Sequence, residues 1–220
     1  MKKANVFLFD VYGTLFDVYS VKEKCEEFFP SKGEQISLTW RKKQIEYSFL
    51  REMMGQYTSF SEVTKDSLLY AVEESRETIN AEQMNQLLIA YRNLEPFQET
   101  KDVLSQLQGK TVAVFSNGSR DMLEPLIHES ELHEWLPIII SVDDVKHYKP
   151  VKEAYQHAVD VLKVKKDEVL FLSSNGWDIA GAKNFGFQTA WINRQNMPTE
   201  KLPVTPNYEY NDLNGLLEWR

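Results

Sequence analysis

The residues Val6-Phe7-Leu8-Phe9 form an unbroken apolar run that stops at Asp10. A strand apolar on both faces is one buried on both faces, as in a parallel sheet covered by helices. Similar runs return at 112–115, 138–140, 169–172 and 189–192. Helical periodicity over about 121–130, 151–163 and 177–185 separates the later runs. This alternation predicts an α/β fold, a doubly wound parallel sheet.

The interval from Phe16 to Leu94 carries no such run and is helical in period. Ser59 with Glu62, and Asn80 with Gln83, have the spacing of an N-cap and its third helical residue. A helical domain, 16–94, is therefore expected to interrupt a core made of 1–15 and 95–220. The tail, with Pro198, Pro203 and Pro206, reads as extended and ends in a short helix near 213–219. Internal repeats and low-complexity tracts are absent from the sequence.

A length of 220 residues suits one core domain with a sizeable insertion. The formal charge of −8 argues against a nucleic-acid or anionic-membrane partner, because neither polyanion would be attracted overall. One cysteine, Cys25, excludes an intrachain disulfide framework and a cysteine-rich zinc site. Met1-Lys2-Lys3 before an apolar run faintly suggests a leader, but Asp10 breaks the run and no small-residue cleavage site follows. A soluble, cytoplasmic protein is the expectation.

Polar chemistry collects where the strands end, the edge at which open parallel sheets bind ligands. Strand one ends in Asp10, followed by Gly13-Thr14; strand two ends in Ser116-Asn117-Gly118. Ser141, Asp143, Asp144 and Lys149-Pro150 follow strand three, and strand four ends in Ser173-Ser174-Asn175-Gly176-Trp177-Asp178. Singly, each is an ordinary cap or turn residue. Together they place carboxylates, hydroxyls and an ammonium on one edge, which points to a catalytic site.

In this order, Asp10-x-Tyr12-Gly13-Thr14-Leu15, Ser116-Asn117-Gly118, Lys149-Pro150 and Asp178 resemble the haloacid dehalogenase superfamily. The resemblance covers essentially the whole chain. It implies a Rossmann-like core, an aspartate nucleophile at Asp10 and a cap domain formed by the helical insertion.

Most members of that superfamily are phosphatases with a second acid two residues after the nucleophile; here Tyr12 stands there. A phenol of pKa about 10 is a poor proton donor near neutral pH. Ser174 replaces a magnesium-binding aspartate, so neither a metal nor any other cofactor is expected. Displacement of halide from carbon needs no proton for the leaving group, only donors for its developing charge. Leu38, Arg41, Ile45 and Phe49 share a helical stripe, which puts Arg41 among apolar neighbours. A buried guanidinium needs a partner, so Arg41 should face an anion.

The segments Trp40-Arg41-Lys42-Lys43-Gln44 and 173–178 look like the L-2-haloacid dehalogenase branch, although Lys42 departs from its common Gln. The branch implies a small 2-haloalkanoate as substrate and a D-2-hydroxy acid and halide as products. In the roles so implied, Thr14 and Ser173 hold Asp10, and Lys149 supplies the compensating charge. Ser116, with backbone N–H groups near Tyr12, takes the substrate carboxylate. Arg41 and Asn117 receive the halide, and Phe60 and Trp177 form an apolar wall. Asp178, oriented by Asn175 and assisted by Lys149 or Tyr155, serves the hydrolytic water. Met53, Met54 and Tyr57 offer apolar area for a homodimer, or pack inside the cap. Two other readings stay open at this point: a magnesium-dependent phosphatase, and an idle binding protein of the same fold.

Overall fold

The computed structural model describes residues 4–107 and 109–219. Met1-Lys2-Lys3, on which the leader question turned, and position 220, the expected end of the core, lie outside the described residues.

The apolar runs become the strands β1 (Val6–Phe9), β2 (Thr111–Ser116), β3 (Ile138–Ser141), β4 (Val169–Ser173) and β5 (Gln188–Ile192). All pair in parallel, in the spatial order β3-β2-β1-β4-β5. Val6 is level with both Thr111 and Val169, so β1 is central and the ends of β2 and β4 flank Asp10. Consecutive residues of β1 and β4 are all buried, so both faces of the sheet are covered.

The sequence did not show that the extended tail adds a sixth strand, β6 (Tyr208–Tyr210), parallel to β5. Three half-exposed residues at a sheet edge carry too little hydrophobic pattern to announce a strand. The expected terminal helix is a 3-10 turn, Leu213–Trp219.

Among the described residues the regular elements of the predicted insertion are all helices: α1 (Lys22–Phe28), α2 (Gly33–Met54), α3 (Phe60–Glu74) and α4 (Ala81–Arg92). Ser59 caps α3, and Asn80 with Gln83 forms a full capping box on α4. The chain turns out of β1 at Gly13, whose φ of 87° is strained for any residue with a Cβ. It leaves and returns side by side, with Asp17 N–H on Glu95 O at 2.9 Å and Phe97 N–H on Leu15 O at 2.9 Å. The core then continues through α5 (Thr100–Ser105), α6 (Arg120–Glu129), α7 (Lys152–Leu162) and α8 (Gly176–Phe185).

The α2 and α3 helices run antiparallel, tied by Arg51–Asp66 at the loop end and by Thr39–Glu74 at the far end. Here the expected stripe needs correction. Leu38 is 50% exposed, and the buried face is Ile36, Ser37, Trp40, Arg41, Gln44 and Ser48. Polar residues complete the inward face, so hydrophobicity alone misplaced its phase. Arg41 is buried as expected, at 8% exposure.

Candidate active site

Asp10 lies at the end of β1, and one of its oxygens is saturated. Its Oδ2 accepts from Thr14 Oγ1 (3.0 Å), Ser173 Oγ (3.2 Å) and Asn175 Nδ2 (2.8 Å). The directions are fixed by the backbone. Ser174 N–H donates to Thr14 Oγ1 and Asn175 N–H to Ser173 Oγ, so both hydroxyl protons turn toward Asp10. Asp10 Oδ1 meets Lys149 Nζ at 3.1 Å.

Asn175 is the N-cap residue of α8, yet its side chain makes no cap hydrogen bond. It bonds Asp10 and the Tyr12 carbonyl instead. The expectation that it orients the Asp178 carboxylate is therefore corrected: Tyr155 and Lys149 do that. Tyr155 donates to Asp178 Oδ1 at 2.7 Å, and Lys149 donates to Asp178 Oδ2 at 2.5 Å and to Phe115 O at 3.2 Å. Gly181 lets the phenol approach, since a Cβ there would lie 2.4 Å from the Tyr155 oxygen.

Lys149 and Asp178 are fully buried. Burial pushes Asp178 up, to about 6, against the opposing pull of Lys149 and with some help from Asp10. Burial alone would lower Lys149, but the two carboxylates outweigh it and leave the ammonium above its ordinary value. Burial, then Asp178, pushes the Tyr155 phenol well above 10.

Asp10, Tyr12, Arg41, Ile45, Ser48, Phe60, Ser116, Asn117, Lys149, Asn175 and Trp177 enclose a chamber of about 20 Å³. Thr14, Ser173, Tyr155 and Asp178 stand behind this wall. A cavity of about 350 Å³ adjoins it, sharing Arg41, Ile45 and Asn175. Ser116 Oγ accepts from Gly118 N–H, leaving its proton free to donate. Asn117 Oδ1 accepts from Lys149 N–H at 2.8 Å, which fixes the amide so that Nδ2 is the donor end. Lys42 is on the exposed side of α2, away from the chamber.

Arg41 reaches the chamber from the helical insertion. Its guanidinium donates to Gln44 Oε1 (2.9 Å), Tyr12 O (3.2 Å) and Asn175 Oδ1 (3.4 Å), all neutral oxygens. No carboxylate of the described residues pairs with it, so a buried positive charge is held at the chamber wall. Gln44, Thr64 and Tyr91 hold Arg41 from behind. Gln44 lies in the segment that carries the branch resemblance, but nothing in the sequence tied it to Arg41, and Thr64 and Tyr91 lie in no motif.

Sheet, edge and chamber together define an α/β protein with a candidate active site around Asp10. The chain belongs to the haloacid dehalogenase-like hydrolases, the family whose model matches residues 4–186. It is 39% identical to haloacetate dehalogenase H-2 of Moraxella sp. (strain B), over 99% of this chain and 98% of that protein. It is also 39% identical to the (S)-2-haloacid dehalogenase of Pseudomonas sp. (strain YL), over 96% and 91%. The L-2-haloacid dehalogenase of Xanthobacter autotrophicus with chloropropionic acid covalently bound superposes with a TM-score of 0.92. That match has 33% identity and covers 98% of this chain and 97% of that one.

Magnesium, common in the wider superfamily, does not fit this site. Ser174 stands where a further carboxylate would be needed, and Asp10 Oδ2 is already engaged by three donors, which leaves a divalent ion too few oxygen ligands.

Proposed function

We propose that the protein is a hydrolytic dehalogenase that converts small L-2-haloalkanoic acids to D-2-hydroxy acids through an ester on Asp10. The single observation that carries this is the unequal bonding of the Asp10 oxygens. Three donors fix Oδ2, while among the described residues Oδ1 bears only Lys149 and is the oxygen free to attack.

In the first step Oδ1 forms a bond to C2 from the side opposite the halogen, and the halide leaves with the C–X electron pair. Ser116 and backbone N–H groups near Tyr12 hold the substrate carboxylate. Arg41 and Asn117 Nδ2 receive the halide, and Phe60 and Trp177 keep the chamber dry, which strengthens these contacts. Water then attacks the Asp10 carboxyl carbon. The Lys149–Asp178 pair, held by Tyr155, takes up one proton and passes it to Oδ1 as the acyl–Oδ1 bond breaks, so that the product leaves as the hydroxy acid. The second proton of the water is lost when the Asp10 carboxyl ionises again.

A phosphatase gains no support from this geometry. Tyr12 is no acid, because burial pushes its phenol well above 10, and Ser174 stands where a magnesium-binding carboxylate would be needed. Halide release from L- and D-2-chloropropionate, with and without EDTA, tests the proposal. Release from the L-isomer alone, unaffected by chelation, is expected; no release from either would overturn it.

The proposal extends to the division of the chain. Residues 1–15 and 95–220 form the core, and 16–94 form a cap that brings Arg41 to the sheet edge; the paired crossing at Leu15–Asp17 and Glu95–Phe97 supports these limits. The adjoining cavity is the entrance for substrate. Met53 and Met54, exposed at the end of α2, support a homodimer; Tyr57, the third residue expected there, is instead packed against Tyr148 and bonded to Asp143. A gel-filtration mass near 25.7 kDa would remove it. Among the described residues no helix is long and apolar enough to cross a membrane, and a cytoplasmic location is part of the proposal.

A further inference from the structure

Gln44 is fully buried on α2, one turn beyond Arg41. Its Oε1 accepts from Arg41 Nη1 at 2.9 Å and from the Tyr91 hydroxyl at 2.7 Å. Its Nε2 donates to Thr64 Oγ1 at 2.7 Å, and Thr64 in turn donates to Phe60 O at 2.7 Å. The amide cannot flip without setting an NH₂ group against the guanidinium donors and an oxygen against a hydroxyl whose proton is already committed. One residue thus ties α2, α3 and α4 to a single orientation of Arg41. The Tyr91 ring that completes the clamp packs between Trp40 (5.0 Å) and Tyr12 (5.8 Å).

We propose that Gln44 is a positioning residue for halide departure: its neutral carbonyl oxygen aims the Arg41 guanidinium at the chamber without cancelling its charge. This rests on the dehalogenase reading of the site. A carboxylate at position 44 would aim Arg41 equally well but form a buried ion pair with it, leaving less positive potential for the halide. An apolar residue would keep the charge but release its direction and strand the Tyr91 hydroxyl. An amide alone meets both needs.

Chloride is the poorer leaving group and the more compact anion, so it depends more than bromide on donors at the moment of departure. The test is kcat/KM, which covers steps through halide departure, for L-2-chloro- and L-2-bromopropionate. Gln44→Met should lose about 10- to 100-fold on the chloro substrate and less on the bromo one, since small misplacements carry penalties of that order. Gln44→Glu should raise the bromo-to-chloro ratio as well, although it keeps an acceptor. Tyr91→Phe, which preserves the ring packing, should shift the ratio the same way by a smaller factor.

Equal losses on both substrates would make Gln44 a packing residue and overturn the proposal. If Gln44→Met does not fold, an unchanged ratio in both Gln44→Glu and Tyr91→Phe overturns it. Wild-type protein that releases no halide overturns the dehalogenase reading itself. Active wild type with an unchanged ratio in the variants overturns only the role of Gln44.

Discussion

The ammonium of Lys149 lies 2.5 Å from an oxygen of Asp178, and both groups are sealed from solvent. The same ammonium reaches Asp10 at 3.1 Å, so one cation serves two carboxylates with different tasks. Its charge is fully used while Asp10 is ionised. Ester formation removes the Asp10 charge and leaves Lys149 with Asp178 alone, which prepares the pair for the hydrolytic step.

A pH dependence follows. Burial raises Asp178 to about 6, so below that value it is largely protonated and cannot accept a proton from water. In the ester the Asp10 charge that helps raise Asp178 is gone, so the carboxyl titrates below its free-enzyme value. Ester hydrolysis should fall about tenfold per pH unit once that lower value is passed, while halide displacement continues. The acyl adduct on Asp10 should accumulate at pH 5 and be absent at pH 8, as read by intact-protein mass spectrometry during turnover. An adduct equally scarce at both values would dissociate Asp178 from hydrolysis.

Arg41→Ala should reduce kcat/KM for halide release by about 10² to 10³-fold, the usual loss for a donor to developing negative charge. The fold should survive, because no carboxylate is stranded when the guanidinium is removed; its partners are neutral oxygens. Circular dichroism and a melting curve verify the fold beside the rate. Wild-type-like kinetics would dismiss Arg41 from the chemistry.

Much of this was legible in the chain. The strands showed because burial on both faces leaves unbroken apolar runs, and the edge showed because its polar residues follow those runs directly. The phase of α2 did not show. Leu38 mimics a core position, while Ser37, Gln44 and Ser48, which do face inward, look like surface. The role implied for Asn175 was to orient Asp178; its side chain instead crosses to Asp10, a contact set by sheet register rather than by sequence distance.

Gly181 is a second feature visible only in three dimensions. A Cβ at this position would lie 2.4 Å from the Tyr155 oxygen and 2.6 Å from Pro150 Cβ. Gly181→Ala should therefore push the phenol off Asp178 and lower stability by about 1–3 kcal/mol, as overpacking does. Thermal melting reads the stability loss, and halide release should fall with it. An unchanged melting temperature and rate would mean that the helix absorbs the methyl without moving Tyr155.

Chelation should leave turnover unaffected, and p-nitrophenyl phosphate should be a negligible substrate. Ser174 stands where a phosphatase would need a magnesium-binding carboxylate. Tyr12 offers no usable proton for an alkoxide leaving group, since burial pushes its phenol well above 10. Phosphate release that appears on adding Mg²⁺ after EDTA would move the protein to the phosphatase class.

The origin of the product oxygen separates an aspartate nucleophile from an aspartate base. If Asp10 Oδ1 attacks C2, that oxygen departs with the product when water cleaves the acyl–oxygen bond, and solvent oxygen enters the Asp10 carboxylate. With enzyme in excess in H₂¹⁸O, the first turnover should give largely unlabelled hydroxy acid, and the peptide containing Asp10 should become heavier. L-2-Chloropropionate should yield D-lactate, because one displacement inverts C2 and hydrolysis at the carbonyl leaves it untouched. Direct attack by water also inverts, so stereochemistry does not decide between the two. The bonding at Asp10 favours the covalent route: Thr14, Ser173 and Asn175 clamp one oxygen and leave the other beside Lys149, facing the chamber. Fully labelled lactate in the first turnover, with no label in Asp10, would exclude the ester and recast Asp10 as a general base.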